Sequence, residues 1–481
     1  MRSARRDLGW AWVGLGLAGS LVLTAAASKL LNHQPIHWFF TVQLPGGHRF
    51  AQVVFWAGVL ALCGAWLGIG RRLARAPGLG VGPLLAIGGL WSTPLWLGPG
   101  LFSHDMYSYL AQGTLLHHGV DPYQHPAAAL AGLHQARLFH AVSPFWRHTT
   151  APYGPTFIAL AGLIAGVAGS HLVLGVLLMR ALEFAGLALL AVFVPRLARA
   201  TGADPARATW LAVISPLVLL ELVGAGHNDA LMAGLLVAGV SFAVQRRPLL
   251  AIAICALAAT IKLPAAAAIV LIAACWVRAE PRRAASALAQ SAAVVAGVLL
   301  GAGAISGVGL HWISGGMLST PGKVHLAITP ATALGYSLAS ALHSLGLGAG
   351  TRSLESAFAA VALALTLALG IGLCLRVRYE RLTLYLGLLL VASTLFGPAA
   401  WPWYLTWGVA LLAATALTQR SRVIPVVLIA SVLVVRPDGI VALPIGRSPY
   451  VLAVYVLAAL VALLAARPRS RPPRRSVPAV A

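Results

Sequence analysis

The sequence predicts an all-α membrane protein that crosses the bilayer many times. Charged residues make up 9% of the chain and hydrophobic residues 59%, whereas soluble domains carry about 25% charged residues. Apolar runs of about 15 to 25 residues recur along the chain, and each is long enough, or nearly so, to cross the hydrocarbon core as a helix. Because the runs are continuously apolar rather than alternating, a transmembrane β-barrel is excluded.

The apolar runs predict about 12–15 transmembrane helices in a single domain, residues 1–466, followed by a disordered, basic cytoplasmic tail at 467–481. The candidate spans, in chain order, are residues 9–27, 50–70, 79–97, 171–195, 208–224, 230–244, 249–262, 265–277, 285–304, 355–375, 382–397, 403–418, 423–436 and 449–466. Two further apolar stretches, 153–169 and 331–347, are either spans or re-entrant segments, which a membrane tolerates where they line a protein cavity.

The net charge of +23 does not indicate a nucleic-acid partner, because the arginines lie in short clusters between the apolar runs. This distribution is the positive-inside pattern of cytoplasmic loops, which contact anionic lipid headgroups. The clusters are Arg2/Arg5/Arg6, Arg71/Arg72/Arg75, Arg196/Arg199/Arg207, Arg246/Arg247, Arg278/Arg282/Arg283, Arg376/Arg378/Arg381, Arg420/Arg422 and the tail from Arg467 to Arg475.

The arginine clusters also predict a topology. If neither 153–169 nor 331–347 crosses the membrane fully, every cluster and both termini fall on the cytoplasmic side. The polar segments 98–150 and 305–330 then lie on the outer face, where they meet the polar junctions between spans. We therefore expect the residues that could bind a substrate or act in catalysis to lie together on the outer side.

The first large polar segment, residues 98–150, is the strongest candidate for carrying chemistry, because structureless loops of this length are uncommon unless functional. Its amphipathic pattern predicts short helices at the membrane interface. Within it, Asp105 follows the helix-breaking Gly98-Pro99-Gly100. A carboxylate beside a bilayer usually has a function or a partner, so Asp105 is either a general base or a helix N-cap.

Three other polar positions interrupt the apolar pattern. Asp121-Pro122-Tyr123 is typical of a turn. In Gly226-His227-Asn228-Asp229, the aspartate either caps the following helix or belongs to a site in which His227 and Asn228 bind sugar hydroxyls. Lys262 lies between apolar runs, where an ammonium is costly unless it reaches water or an anion; a phosphate is the expected anion.

Trp403 and Tyr404 are predicted to contact a sugar, and Trp407 to belong to the interfacial aromatic belt. The cysteines lie inside apolar runs and are spaced for neither a disulfide framework nor a zinc site. They are Cys63, Cys255, Cys275 and Cys374. Since no spacing of metal ligands and no P-loop is present in the sequence, neither a metal nor a cofactor is expected.

Six short motifs occur in order and carry a resemblance to a known family. They are Ser103-His104-Asp105-Met106-Tyr107-Ser108-Tyr109-Leu110-Ala111-Gln112-Gly113, Asp121-Pro122-Tyr123, Ala151-Pro152-Tyr153-Gly154-Pro155, Gly226-His227-Asn228-Asp229, Lys262-Leu263-Pro264 and Pro402-Trp403-Tyr404. The series, which covers most of the chain, resembles the polyprenol-phosphate-mannose-dependent α-1,6-mannosyltransferases of actinobacteria. These are membrane glycosyltransferases of the GT-C class.

The resemblance implies a GT-C-like fold in a bacterial plasma membrane and an inverting transfer on its outer face. The implied donor is polyprenyl phosphate mannose, and the implied acceptor is the 6-hydroxyl of an α-mannan or lipomannan-type glycolipid. Asp105 matches the acidic residue that such enzymes place in the first large outer loop, so it is the expected base. The resemblance implies no oligomeric state.

The leaving phosphate needs positive charge and hydrogen-bond donors rather than a general acid. The expected donor-phosphate ligands are Lys262, Arg137, Arg147, His148 and Lys323. The expected sugar-binding residues are Tyr107, Gln112, Asp121, Tyr123, Tyr153, His227, Asn228, Asp229, Trp403 and Tyr404.

Two alternatives remain open at the level of sequence. One is a GT-C transferase that uses another lipid-linked sugar, such as an arabinofuranosyl donor. The other is a lipid flippase or transporter, which would place ionisable residues in mid-span. Glu183 and Glu221 are the acidic residues at such positions, and both are expected to face the interior of the helix bundle.

Overall fold

The computed structural model describes residues 2–30, 38, 44–75, 79–317, 329–348, 350–397, 400–434 and 450–466. Within these ranges the secondary structure is helical, and no β-strand is present. The predicted all-α class is therefore confirmed. The predicted tail at 467–481 lies outside the described residues.

Most of the α-helices follow the apolar runs. In chain order they are α1 Arg2–Leu30, α2 His48–Arg75, α3 Val81–Leu97, α4 Asp105–His117, α5 Ala136–Ala141, α6 Pro155–Ala168, α7 Leu172–Ala200, α8 Pro205–Ala212, α9 Asp229–Val244, α10 Pro248–Ala259, α11 Ala266–Ala279, α12 Ala284–Ser306, α13 His311–Ser314, α14 Pro330–Ser344, α15 Thr351–Cys374, α16 Tyr379–Phe396, α17 Leu405–Ala413, α18 Val423–Leu433 and α19 Tyr450–Ala466. Short 3₁₀-helices lie at Ala127–Leu133, Leu263–Ala265, Pro281–Arg283 and Pro402–Tyr404, and a π-helix at Val218–Gly224. The predicted span 208–224 is wrong as a single helix, because it is divided between α8 and the π-helix.

Local sequence signals explain where several helices begin. Pro155, Pro205 and Pro248 each lie in the first turn of their helix, where a missing N–H leaves no intrahelical hydrogen bond unmade. Asp204 caps α8, since its Oδ1 accepts from the N–H of Ala206 at 2.8 Å. Such caps satisfy the backbone donors that a helix start leaves without partners.

Several of these helices are suited to crossing a membrane. Among the described residues, six are long and apolar enough: α1 from Gly9, α2, α7, the stretch Pro281–Ser306 that contains α12, α15 and α16. The π-helix and α9 pass the same test as a pair but are bent by 114°. Five shorter apolar helices accompany them. The chain is thus a polytopic membrane protein, as predicted, and the number of 12–15 spans stays a prediction.

The two ambiguous stretches form short helices. The first, 153–169, contains α6 with 14 residues, and the second, 331–347, overlaps α14 with 15 residues. At about 1.5 Å per residue, each is roughly 21 to 23 Å long, short of the roughly 30 Å of a hydrocarbon core. Helices of the predicted spans, such as α10 with 12 residues, are as short, so the topology stays a prediction.

The arginine-rich turns contact one another at one end of the helices. Arg246 forms an ion pair with Glu380 at 2.9 Å, and Arg278 donates to the carbonyl of Val377 at 3.3 Å. Helix α9 runs from Asp229 to the turn that contains Arg246, and α10 returns from that turn. Asp229 and these arginine-rich turns therefore lie at opposite ends of the helices.

The polar segment 98–150 folds into α4, the 3₁₀-helix Ala127–Leu133 and α5, which confirms the prediction of short helices there. Helix α4 lies directly against α6 because Gly113 has no side chain. A Cβ on Gly113 would approach the carbonyl oxygen of Ala161 to 2.2 Å. This contact fixes the position of α4, whose first residue is Asp105.

Candidate active site

Asp105 begins α4, and its side chain is 16% exposed. Its backbone N–H donates to Ser103 Oγ at 3.0 Å, while His104 occupies the N-cap position. The alternative prediction, that Asp105 caps the helix, is therefore wrong. The carboxylate lies in the first turn, where the helix dipole stabilises negative charge, and it remains available for other contacts.

A sharp bend between the π-helix and α9 places His227 beside Asp105. Gly226 provides the bend with a φ of +72°, a conformation that glycine adopts without strain. His227 Nε2 lies 3.7 Å from Asp105 Oδ2, and its Nδ1 lies 3.6 Å from Glu221 Oε2. His227 and Glu221 are fully buried, so the imidazole lies between two carboxyl groups.

Asp229 and Lys262 form a buried ion pair at the start of α9. The Lys262 ammonium donates to both carboxylate oxygens of Asp229 at 2.9 Å, and Trp407 Nε1 donates to Oδ1 at 2.6 Å. No side-chain cap bond is made at the start of α9, so the predicted capping role of Asp229 is wrong. The anion that stabilises Lys262 in this structure is Asp229.

Aromatic rings enclose the Lys262 ammonium. Its Nζ lies 4.2 Å from the ring centre of Tyr404, 5.4 Å from that of Trp407 and 6.0 Å from that of Tyr153. Tyr404 and Trp407 are stacked with centres 4.4 Å apart. Trp407 therefore belongs to the site, and its predicted place in the interfacial belt is wrong. Trp403 stacks on His227 at 4.0 Å and so joins the two clusters.

Three tyrosines tie the outer segment to this centre. Tyr123 Oη donates to the carbonyl of Tyr153 at 2.7 Å, and the Tyr109 ring meets the edge of Tyr153 with centres 5.0 Å apart. Tyr109 Oη accepts from the backbone N–H of Asn228 at 3.3 Å. Tyr109 was not among the predicted site residues, although it lies one turn after Asp105.

Asp121 holds a turn, as its sequence indicates. Its Oδ1 accepts from the N–H of Tyr123 at 2.8 Å, and its Oδ2 lies 2.7 Å from Nδ1 of His311. The carboxylate therefore joins the first polar segment to α13. Contacts of Asp121 and Tyr123 with a sugar stay predictions.

Several predicted sugar-binding residues are buried with polar atoms that have no hydrogen-bond partner among the described residues. These atoms include the Asn228 side-chain amide oxygen and nitrogen, Gln112 Oε1 and His227 Nε2. Tyr107 is buried on α4 nearby in sequence. Buried polar groups are nearly always paired, so the unpaired side-chain groups of Asn228 and Gln112 are suited to receiving the hydroxyls of a ligand.

The charges of the site act on one another. Burial raises the pKa of Asp105 to about 6, against the opposing effects of the Lys262 ammonium and the Ser103 hydroxyl. Burial lowers the pKa of Lys262, but the facing Asp229 carboxylate outweighs it, so that pKa lies above its usual value. At neutral pH, Asp105 is thus a carboxylate that accepts a proton readily, and the Lys262 ammonium is held in its charged form by Asp229.

The other predicted phosphate ligands are placed differently. Arg147 donates to the carbonyls of Val142 and His140 and covers the ring of Phe139, so its guanidinium holds the outer segment together. Arg137 and His148 are exposed on the same segment. Lys323 lies outside the described residues. Phosphate binding by these four residues stays a prediction.

Sequence reasoning missed Arg180, which is buried in α7. Its guanidinium donates to the carbonyls of Trp96, Gly98 and Gly224, at 2.7, 2.6 and 2.9 Å respectively. It thereby holds the end of α3, which leads to Asp105, against the π-helix, which leads to His227. The available signal was a lone arginine inside the apolar run 171–195, since such residues in membranes usually have a specific partner.

Comparison with known proteins assigns the sequence to a family. A model described as the N-terminal domain of α-(1→6)-mannopyranosyltransferase matches residues 11–278, and a model described as the MptB C-terminal domain matches residues 331–467. No solved structure matches the chain.

Curated relatives match most of the chain. Alpha-(1->6)-mannopyranosyltransferase A of Mycobacterium tuberculosis is 33% identical over 446 residues, which cover 88% of this chain and 84% of the relative. A probable alpha-(1->6)-mannopyranosyltransferase of Mycolicibacterium smegmatis is 31% identical, over 88% of this chain and 83% of the relative. Alpha-(1->6)-mannopyranosyltransferase Rv1459c of Mycobacterium tuberculosis is 29% identical, over 76% and 71%.

A helical membrane protein with these relatives and this site is a membrane glycosyltransferase. The chain belongs to the α-(1→6)-mannopyranosyltransferase family, which confirms the resemblance seen in its motifs. It is a mannosyltransferase that forms α-1,6 linkages, and the flippase alternative is set aside.

Proposed function

We propose that the chain transfers mannose from polyprenyl phosphate mannose to the 6-hydroxyl of an α-mannan or lipomannan-type glycolipid. The reaction takes place on the outer face of a bacterial plasma membrane. The position of Asp105 carries this proposal. The largely buried carboxylate lies 3.7 Å from His227, which stacks on Trp403, and Trp403 contacts Tyr404, the ring that faces the Lys262 ammonium. The site thus combines a proton acceptor with a cation for an anionic donor.

Asp105 is the general base in this mechanism. The acceptor oxygen O6 forms a bond to the anomeric carbon as its proton moves to Asp105. The bond from the anomeric carbon to the phosphate oxygen breaks, and its electron pair stays on the phosphate. A single displacement inverts the anomeric carbon, so a β-linked donor gives the α-linkage.

Lys262 stabilises the leaving phosphate. As the bond to the anomeric carbon breaks, negative charge develops on the phosphate oxygen, and a nearby ammonium lowers the energy of that state. Asp229 keeps Lys262 charged and oriented while the donor is absent. The phosphate then shares the ammonium with Asp229, and the rings of Tyr404 and Trp407 shield the pair from water, which strengthens the interaction.

The two ends of the helix bundle support the proposed outward orientation of the site. The arginine-rich turns contact one another at the end away from Asp229. Cytoplasmic loops of membrane proteins are enriched in Lys and Arg, so the arginine end faces the cytoplasm and the site faces outward. The termini are cytoplasmic in the same arrangement.

Transfer in membranes that contain this chain tests the proposal directly. Labelled polyprenyl phosphate mannose and a short α-1,6-mannoside acceptor are supplied, and the elongated product is measured. We expect product with the wild type and less than about 1% of that rate with Asp105→Asn, since such bases contribute about 10²–10⁴-fold. Glu380→Gln, an acid-to-amide change at the arginine end, serves as the matched control.

Two outcomes would overturn parts of the proposal. If Asp105→Asn keeps more than a few per cent of the wild-type rate while Glu380→Gln is unaffected, Asp105 is not the base. If the wild type gives no product with this donor but does with another lipid-linked mannose, the polyprenyl phosphate donor is wrong.

A second assay tests whether the reaction needs a metal ion, by comparing the transfer rates with and without EDTA. Equal rates are expected, and a loss of rate that a divalent cation restores would contradict the metal-free mechanism.

A further inference from the structure

The hydrogen bond at His227 Nδ1 determines which nitrogen of its ring carries the hydrogen. Nδ1 lies 2.9 Å from the backbone carbonyl oxygen of Glu221. A carbonyl oxygen can only accept, so Nδ1 must donate. The imidazole is fully buried, and charging a buried ring is costly. In the neutral ring, Nε2 therefore carries a lone pair and no hydrogen.

The Nε2 atom lies near a second acceptor, the Asp105 carboxylate. His227 Nε2 lies 3.7 Å from Asp105 Oδ2 and has no hydrogen-bond partner among the described residues. Two acceptors without a hydrogen between them do not attract, and 3.7 Å is too long for a hydrogen bond. The arrangement is unfavourable for the resting carboxylate, and it becomes a hydrogen bond only when a proton reaches Asp105 and the two atoms move closer together.

We propose that His227 is a positioning residue for the base: its Nε2 accepts a hydrogen bond from Asp105 once that carboxyl has taken the proton of the acceptor hydroxyl. The inference rests on the proposed function of Asp105. The proton leaves acceptor O6 for Asp105 Oδ2, stays on that oxygen, and is held there by Nε2 until products leave. No covalent bond of the imidazole ring is made or broken.

This contact favours the transition state over the ground state. An interaction that strengthens as the reaction proceeds accelerates it, whereas one that is equally strong throughout does not. The Nε2 lone pair gains its hydrogen bond as the proton arrives. Trp403 holds the ring in the required plane, since the two rings are stacked at 4.0 Å and 10°.

Other charged and titratable groups surround this pair and must be considered in any pH measurement. They come from the π-helix, from α9, from the segment before α6, and from the segments that precede α11 and α17. These groups are Glu221, Asp229, Tyr153, Lys262 and Tyr404, together with Tyr109 on α4 itself. The variants below leave these six groups in place, except Glu221→Gln, which replaces Glu221.

His227→Phe and His227→Gln test the inference together. Phenylalanine keeps a ring for Trp403 and removes the acceptor, whereas the glutamine side-chain oxygen restores an acceptor near the position of Nε2. We expect kcat to fall about tenfold to hundredfold with His227→Phe, with KM for donor and acceptor changed less than twofold. His227→Gln is expected to recover at least a third of the loss on a logarithmic scale.

The pH profile separates this role from a purely structural one. Nε2 stabilises protonated Asp105, so its removal should move the acid limb of kcat/KM to lower pH in His227→Phe and leave it in place in His227→Gln. A structural role would lower the rate without moving the limb, and this result would overturn the inference. If His227→Phe fails to insert, the pH limb and rate of His227→Gln decide. His343→Phe, on exposed α14, is the matched control.

Glu221→Gln distinguishes this inference from a proton relay. A relay would pass the proton through Nδ1 to the Glu221 carboxyl, and glutamine would block it. Our inference ends at Nε2, so Glu221→Gln should keep the rate within about threefold; a loss equal to that of His227→Phe would overturn it. If wild type transfers mannose and Asp105→Asn does not, but His227→Phe matches wild type, the inference alone fails. If the wild type transfers no mannose, the proposed function and the inference about His227 both fail.

Discussion

The proton affinity of Asp105 is the residue-scale property that determines how the enzyme responds to pH. Burial raises the pKa of Asp105 to about 6. The base works as the carboxylate, so activity is lost as pH falls through the pKa and is retained above it. We expect kcat/KM for the acceptor to be constant above pH 7 and to fall below pH 6. An acid limb near pH 4, the value of an ordinary aspartate, would contradict this prediction.

Lys262 tests the second residue-scale assignment. Lys262→Ala removes the ammonium that balances the leaving phosphate, and it leaves Asp229 buried without its cation. We expect kcat/KM for the polyprenyl donor to fall at least about hundredfold, with KM for the mannoside acceptor nearly unchanged. Lys29→Ala, at the end of α1, is the control with the same substitution. An effect confined to the acceptor would reassign Lys262.

At the residue scale, sequence reasoning found the polar residues of the site but not their partners. Asp105, His227, Asp229 and Lys262 stand out because charge is scarce in the chain. The sequence could not show that Asp229 neutralises Lys262, because the two are far apart in the chain and meet only when α9 and α10 pack side by side. Trp407 was misassigned for the same reason.

At the scale of elements, the fit of α4 against α6 positions the base. Gly113→Ala would force a Cβ to within 2.2 Å of the Ala161 carbonyl oxygen, and backbone cannot yield as a flexible side chain can. We expect α4 to shift, the rate to fall about tenfold or more, and the melting temperature to drop. Gly297→Ala in α12, where a Cβ meets nothing within 4 Å, should leave both unchanged. Equal behaviour of the two variants would refute the argument.

Arg180 positions two elements at once. Arg180→Leu removes the guanidinium donor from the carbonyls of Trp96, Gly98 and Gly224. The Gly224 carbonyl keeps the N–H of Leu101 at 3.2 Å, so two carbonyls lose their donor, and each such loss costs about 1–3 kcal/mol. We predict a loss of at least about 2 kcal/mol in stability, together with a lower rate, since the segments that lead to Asp105 and to His227 are both held less firmly. Arg196→Leu, an exposed position on the same helix, is the control. Thermal unfolding of the purified protein measures the stability of both variants. Unchanged stability of Arg180→Leu would disprove the role of Arg180 in holding the two segments together.

At the scale of the whole molecule, the separation of arginine turns from the site predicts which face is outside. Single cysteines are introduced at His118 and at Arg247 in a background where the partly buried Cys374 is replaced by serine. A membrane-impermeant maleimide should label His118→Cys in intact cells and Arg247→Cys only after the membrane is opened. The reverse pattern would place the active site in the cytoplasm.

The sequence by itself determined the class of the protein, its helices and its family. Continuous apolar runs allow one solution in lipid, since each span must satisfy its own backbone hydrogen bonds, so the helices could be located without tertiary information. Six motifs in order were enough to recognise the α-1,6-mannosyltransferases.

Only the tertiary structure decided how the site is connected. The placement of His227 between Asp105 and Glu221 depends on a bend of 114°, and no local pattern in the apolar run 208–224 announces a π-helix followed by that bend. The role of Arg180 likewise became clear only from its hydrogen bonds to three carbonyls in two distant segments. Hydrophobic periodicity reports whether a residue is buried, whereas hydrogen-bond partners across the bundle depend on how the helices pack against one another.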